Sequence, residues 1–224
     1  MKRRDFSVTA ASLAAVAAGS TLGLPALAQA APFKEGKDYV KLAKPVAAVS
    51  TAGASAGKVE VLEFFWYSCS HCNEFEPVLA AWMKSTAPKN TSVQRVPVAF
   101  NASFAAQQKL YYTLEGMGKV DELHQRVFRA IHVERQNLSK EDGIFAWVGK
   151  QPGMDMVKFK EVYNSFSVAS QVRRATQLQE AYGVEGVPSM GVAGRYYTDG
   201  TMAGSMPSVL AVVSHLIGIS SAKA

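Results

Sequence analysis

Apolar residues follow two different rhythms along this chain, and the switch between them marks out its elements. Val59 to Tyr67 is almost continuously apolar or aromatic, the pattern of a strand buried on both faces. After Ser68 the period becomes helical: Cys72, Phe75, Leu79, Trp82 and Met83 fall on one face. Pro77 lies inside that helix, leaves the Asn73 carbonyl without its donor and should bend the axis. Ser92 to Ala99 reads as a second core strand with Val93, Val96 and Val98 inward, which makes strand, helix and strand a βαβ unit. Upstream, residues 33–50 read as an entry segment with one short strand at Tyr39–Leu42.

From Ser103 to Tyr182 the period is helical almost throughout, with Leu110 and Leu114, Leu123 and Val127, Ile144 and Val148, and Phe159 and Tyr163 among the inward positions. Ser139 with Asp142 three residues later predicts one helix start, and Pro152-Gly153 separates two others. A longer helix at about 168–182 ends at Gly183 as a left-handed cap would. The strand signal then returns: Val184–Val187 leads into Pro188, and Ser189–Val192 with Arg195–Thr198 predicts a hairpin around Ala193-Gly194. Pro207 opens a closing helix, with Val209, Val213 and Leu216 on one face and Gly218 as its stop. The expectation is an α/β protein with a central mixed sheet flanked by helices, built from residues 31–100 and 171–224. An all-helical insertion at 101–170 interrupts it.

Residues 1–30 read as targeting rather than fold. Lys2-Arg3-Arg4 is a charged start, Val8–Leu27 is a mildly apolar run broken by Pro25, and Ala28-Gln29-Ala30 is a small-x-small cleavage site. The paired arginines before Phe6 resemble a twin-arginine export signal, although general secretion uses basic leaders too. Either route ends outside the bacterial cytoplasm, where disulfides persist. Removing 30 of 224 residues leaves 194, enough for one domain with its own core. The net charge of +6 falls to +4 without the leader's three basic residues and Asp5, and no basic run is interleaved with aromatics, so nucleic acid is not an expected partner.

The chemistry lies at Cys69 and Cys72, the only two cysteines, spaced Cys-x-x-Cys where the buried strand gives way to a helix. A pair this close gains little by closing a loop, so a structural disulfide is a poor explanation. At a helix start, backbone N–H groups and the helix dipole favour a thiolate, which predicts an attackable sulfur at Cys69 and a shielded one at Cys72 on the apolar face. His71 sits between them, where a partly charged imidazole would favour the thiolate further. A metal site built on Cys69, His71 and Cys72 lacks ligands, because His124, His132 and His215 lie in predicted helices without a paired spacing. Glu63 is an acid in an apolar strand: either it reaches solvent at the strand end or it is a buried acid near Cys72 that exchanges a proton with it. Trp66, Met190, Met202 and Met206 could line a substrate groove or belong to the core. Gly53-Ala54-Ser55-Ala56-Gly57 matches G-x-S-x-G, but it precedes a strand instead of following one, so it reads as a linker and not a nucleophile elbow.

With Val61-Leu62-Glu63-Phe64-Phe65 before Cys-x-His-Cys, Gly36-Lys37-Asp38-Tyr39 through Lys44-Pro45-Val46, and Gly186-Val187-Pro188, the chain resembles the DsbA family of periplasmic thiol:disulfide interchange proteins over nearly all of its mature length. The resemblance implies a thioredoxin fold with an inserted helical domain. It implies that Cys69 is the nucleophile, that Cys72 resolves the mixed disulfide, that Val187-Pro188 is a cis peptide beside the sulfurs, and that Glu63 is a family acid. It also implies a monomer without a cofactor that oxidises cysteines of exported proteins and is reoxidised by a DsbB-like membrane partner. Ser70 departs from the proline usual in the family; it adds a backbone donor and a hydroxyl and loses a fixed φ, so it bears on oxidising strength. Two other functions stay open from the residues: a periplasmic disulfide reductase or isomerase, and a Cys-x-x-Cys metal-binding protein.

Overall fold

The computed structural model describes residues 33–49 and 56–221; the leader and most of the Gly53–Gly57 stretch lie outside the described residues. The chain enters through β1 (Val40–Lys41) and β2 (Val59–Phe65), then α1 (Ser70–Ser85) and β3 (Thr91–Pro97). A single 3₁₀ turn at Ala102–Phe104 leads into α2 (Ala105–Gly116), α3 (Val120–His132), α4 (Glu141–Val148), α5 (Met156–Tyr163) and α6 (Phe166–Ala181). The chain closes with β4 (Ser189–Val192), β5 (Tyr196–Asp199), the short α7 (Gly200–Ala203) and α8 (Met206–Ser221).

The sheet order is β1-β5-β4-β2-β3, with β2 and β3 parallel and every other pair antiparallel, so β1 and β3 are the edges. The central strand β2 contributes to two cores. Val61 packs with Phe75 and Leu79 of α1 and with Val209, Val213 and Leu216 of α8. Leu62 and Phe64 belong to the other core, where Phe64 meets the Tyr182 ring at 5.2 Å. Burial on both faces explains why β2 reads as an unbroken apolar run.

Several sequence expectations shift in detail. Met83 is exposed, and Glu76 takes its place on the buried face of α1. α6 begins at Phe166 behind a Ser165 cap, so a boundary at residue 170 would cut through a helix. Ser139 is not a cap: its hydroxyl donates to Asn137, and α4 starts after Lys140. Gly218 does not stop α8, which runs through it to Ser221; one interior glycine costs about 1 kcal/mol, less than the apolar face of that helix gains by packing. β5 begins one residue later than expected, since Arg195 belongs to the turn, where Ala193 and Gly194 both have positive φ. At Gly194 a Cβ would strike the Val46 carbonyl, so only glycine fits there. Gly183 does end α6 in a left-handed conformation: its N–H reaches Glu180 O and the Val184 N–H reaches Gln179 O, a Schellman closure that turns the chain toward Pro188.

Candidate active site

Four residues, 66 to 69, connect β2 to α1, and the last of them is the helix cap. Cys69 is extended (φ −81°, ψ 120°), its carbonyl accepts from Asn73 N–H at 3.1 Å, and its Sγ accepts from Cys72 N–H at 3.4 Å. The sulfur thus holds the place usually taken by a serine or aspartate oxygen, at the position just before the first helical residue, Ser70. Cys69 is half-buried and Cys72 is sealed, and both are free thiols.

These surroundings push the two thiols apart. Cys69 is lowered to about 6, first by a hydrogen bond from the Cys72 thiol, then by the backbone N–H groups of Cys72 and His71 and the His71 charge, against partial burial. Burial drives Cys72 strongly upward, and its contact with Cys69 adds to the rise. His71 therefore contributes less than Cys72 itself, a donor that the sequence reading did not weigh. The depressed Cys69 value has a sign that can be checked. An acid whose folded pKa lies below its unfolded value, about 8.5 for a free thiol, adds stability above the unfolded pKa and loses it as pH falls through the folded one. The reduced protein should gain stability over the oxidised form from pH 6 to about 8.5 and lose that gain below 6. Denaturation midpoints of both forms across this range check it; a difference that does not change with pH would contradict a low thiolate pKa.

Val187-Pro188 is a cis peptide, and the Cys69 thiol donates to the Val187 carbonyl at 3.4 Å. Next to it opens a cavity of about 490 Å³ walled by His71, Phe75, Val78, Val187, Pro188 and Met206, with Glu74 and Asp199 at its polar side. Ser70 and His71 are exposed at the start of α1. Of the residues held open between groove and core, Met206 lines the cavity and Met190 is core, buried on β4 beside Glu63. Met202 packs half-buried against the core, and Trp66 stacks on Phe104 with ring centroids 4.0 Å apart.

Glu63 does not reach solvent; it is fully buried. Register pairs it with Arg95 on β3, whose Nε lies 3.1 Å from Glu63 Oε2. The Arg95 fork is engaged elsewhere: Nε donates to Glu76 Oε1 at 2.6 Å and Nη2 to Glu76 Oε2 at 2.9 Å. Burial, then the neighbouring Glu76 charge, raise Glu63 to about 8 against the pull of Arg95, so at neutral pH it is a protonated acid whose charge, once formed, is felt at Cys72. Glu76 is the ionised partner. Burial opposes its charge, but His124 and Arg95 bring it down to about 2.

His124 and Arg95 are functional-site neighbours that the sequence reading missed. His124 Nε2 donates to Glu76 Oε1 at 2.6 Å, and Nδ1 accepts from the Tyr67 hydroxyl at 2.9 Å. Burial holds His124 below the ordinary histidine value against the pull of Glu76, and this favours the neutral imidazole in which Nε2 donates and Nδ1 accepts. The available signals were an arginine in a strand read as part of the core and an acid four residues after Cys72 on the same helix face.

Residues 60–207 match the profile of the "DSBA-like thioredoxin domain" family. The thiol:disulfide interchange protein DsbA of Bordetella parapertussis is 43% identical over 206 residues, covering 91% of this chain and 92% of that protein. Its namesake in Burkholderia cepacia is 38% identical, covering 88% and 92%. The crystal structure of Pseudomonas aeruginosa DsbA superposes with a TM-score of 0.77 at 35% identity, covering 85% of this chain and 96% of that one.

Proposed function

Because the chain belongs to the DsbA family and is a thiol:disulfide oxidoreductase of thioredoxin fold, we propose that it works as an oxidase, passing a Cys69–Cys72 disulfide to exported proteins with free cysteines. One observation carries this reading: Cys69 stands at an open helix cap with its pKa lowered to about 6, while Cys72 lies sealed behind it. A sulfur that is stable as a thiolate is a good leaving group, and a disulfide that releases one oxidises readily.

A substrate thiolate attacks Cys69 Sγ, the Cys69–Cys72 bond breaks, and the substrate is joined to Cys69. Cys72 leaves with the electron pair, and its high proton affinity takes the proton from Glu63, a protonated acid at neutral pH. A second substrate thiolate attacks the substrate sulfur of the mixed disulfide. The substrate departs with its own disulfide, and Cys69 leaves as the thiolate that Cys72 N–H, Cys72 S–H and His71 stabilise. Val187 and Pro188 hold the substrate strand beside the sulfurs, and Ser70 tunes the donors at the helix start. Two electrons then go to a DsbB-like membrane partner. The site of action is the periplasm, reached after cleavage near Ala30, and one chain suffices because it supplies every one of these groups. Among the described residues no helix is long and apolar enough to cross a membrane.

Equilibration of the cysteine pair against glutathione tests the direction of flow. The pair should be more oxidising than glutathione, each factor of ten being about 30 mV; a pair as reducing as a cytosolic dithiol would make the protein a reductase. Ser70→Pro measured in parallel gives the contribution of that position. Cys72→Ser should accumulate a mixed disulfide on Cys69, visible as a mass adduct after incubation with oxidised glutathione, whose disulfide the Cys69 thiolate attacks with release of one glutathione thiolate. If no adduct forms, Cys69 is not the attacked sulfur.

A further inference from the structure

The helical insertion grips the redox loop residue by residue. Trp66 stacks on Phe104, and Ser68 Oγ accepts from Gln107 Nε2 of α2 at 2.8 Å. Between them Tyr67 is held at three points by one stripe of α3. His124, Phe128 and His132 follow each other at four-residue spacing, so they line up along one helix face over about 12 Å. His124 Nδ1 takes the Tyr67 hydroxyl at 2.9 Å, Phe128 packs against the Tyr67 ring at 5.1 Å, and His132 Nε2 donates to the Tyr67 backbone carbonyl at 2.9 Å. The tip, the ring and the main chain of one residue are thus fixed by a single element, two positions before Cys69.

We propose that His124 and His132 are positioning residues for the thiol chemistry: they lock Tyr67, and through it the loop that sets Cys69 at the start of α1. The reason lies in the sulfur's contacts. Cys69 Sγ is stabilised by Cys72 N–H at 3.4 Å and by the Cys72 thiol, and these depend on where the loop delivers the cap. Trp66 O holds Cys69 N–H at 3.0 Å, so a shift at Tyr67 is passed directly to Cys69. This differs from the role of a lone histidine near a metal or in solvent. The imidazoles pack on the rings of Phe65, Tyr67, Tyr111 and Phe128; the charges acting on His124 are Glu76 of α1 and Arg95 of β3, and Lys84 of α1 and Asp121 of α3 share the cavity that His124 lines. The Glu76 contact ties the same histidine to the middle of α1, so His124 holds the active-site helix and its leading loop together.

The proposal rests on Cys69 being the attacked sulfur, and the test separates the two. His124→Leu and His132→Leu should each shift the equilibrium with glutathione at least threefold toward the disulfide and raise the midpoint of the thiolate absorbance of Cys69. His132→Gln keeps a donor for the Tyr67 carbonyl, and His124→Gln keeps a donor and an acceptor; both should stay within twofold of the wild type. Denaturation of the oxidised and reduced forms completes the set. If the leucine variants destabilise both forms equally while the equilibrium and the titration are unchanged, the histidines are only structural and the proposal fails. Should the leucine variants not fold, Tyr67→Phe decides, since it removes only the hydroxyl: a shift of twofold or more supports the clamp, and none overturns it. A wild-type pair that is itself reducing would overturn the oxidase reading instead, and the differences between variants would still measure the clamp.

Discussion

Serine in place of Cys69 is expected to reduce the oxidation of a dithiol peptide to the rate seen without protein, while the fold survives. An alcohol oxygen forms no disulfide, and Cys72 lies fully buried where an incoming thiolate has no approach. Stability, by contrast, should hardly change, because serine is among the best residues for a helix cap and its oxygen can accept from the Cys72 N–H as the sulfur does now. Activity and folding are thereby separated in one substitution, with helical circular dichroism and thermal unfolding as the controls. Adducts of oxidised glutathione on Cys72 in this variant, together with loss of all adducts in Cys72→Ser, would reverse the assigned roles of the two sulfurs.

The second large effect concerns stability. Arg95→Met should destabilise the protein by about 3–5 kcal/mol at pH 7.5, because it leaves the Glu63 and Glu76 carboxyls facing each other without their shared cation. Methionine fills much of the volume, so the loss reports charge more than a cavity. The penalty should shrink toward pH 5, since without the guanidinium both carboxyls take up protons more readily and the neutral forms tolerate burial. Urea unfolding of wild type and variant at both pH values measures this. A loss below 1 kcal/mol at pH 7.5 would mean that solvent reaches the cluster, contrary to its burial. Adding Glu76→Gln to Arg95→Met should recover part of the loss, since one carboxylate then no longer needs the cation.

Much of this arrangement was legible from the chain. The unbroken apolar run at 59–67 identified the central strand because burial on both faces leaves no polar position to alternate with, and the only cysteine pair stood where the period changed. Glu63 was flagged by its cost in such a strand. The clamp on Tyr67 was not visible, for a definite reason: it joins residues 57 and 65 positions apart, through hydrogen bonds that no local period encodes. His124 and His132 lack the spacing of a metal-ligand pair, yet a spacing of eight on a helix places two side chains on the same face two turns apart. Gly218 misled for the opposite reason: a local stop signal yielded to the packing of Val209, Val213 and Leu216 on the sheet.

The edges of the sheet carry a last consequence. A protein that meets unfolded chains runs the risk that they add to it as an extra strand, an attachment that no redox step would release. β1 is only two residues long and offers almost no ladder to extend. β3 is seven residues long, but it ends in Pro97, which has no N–H to give, and the Pro97 carbonyl is occupied by the Gln108 side chain of α2 at 2.9 Å. Ser92, Gln94 and Arg95 make the rest of that strand polar. Sheet margins built this way offer an extended chain little to pair with.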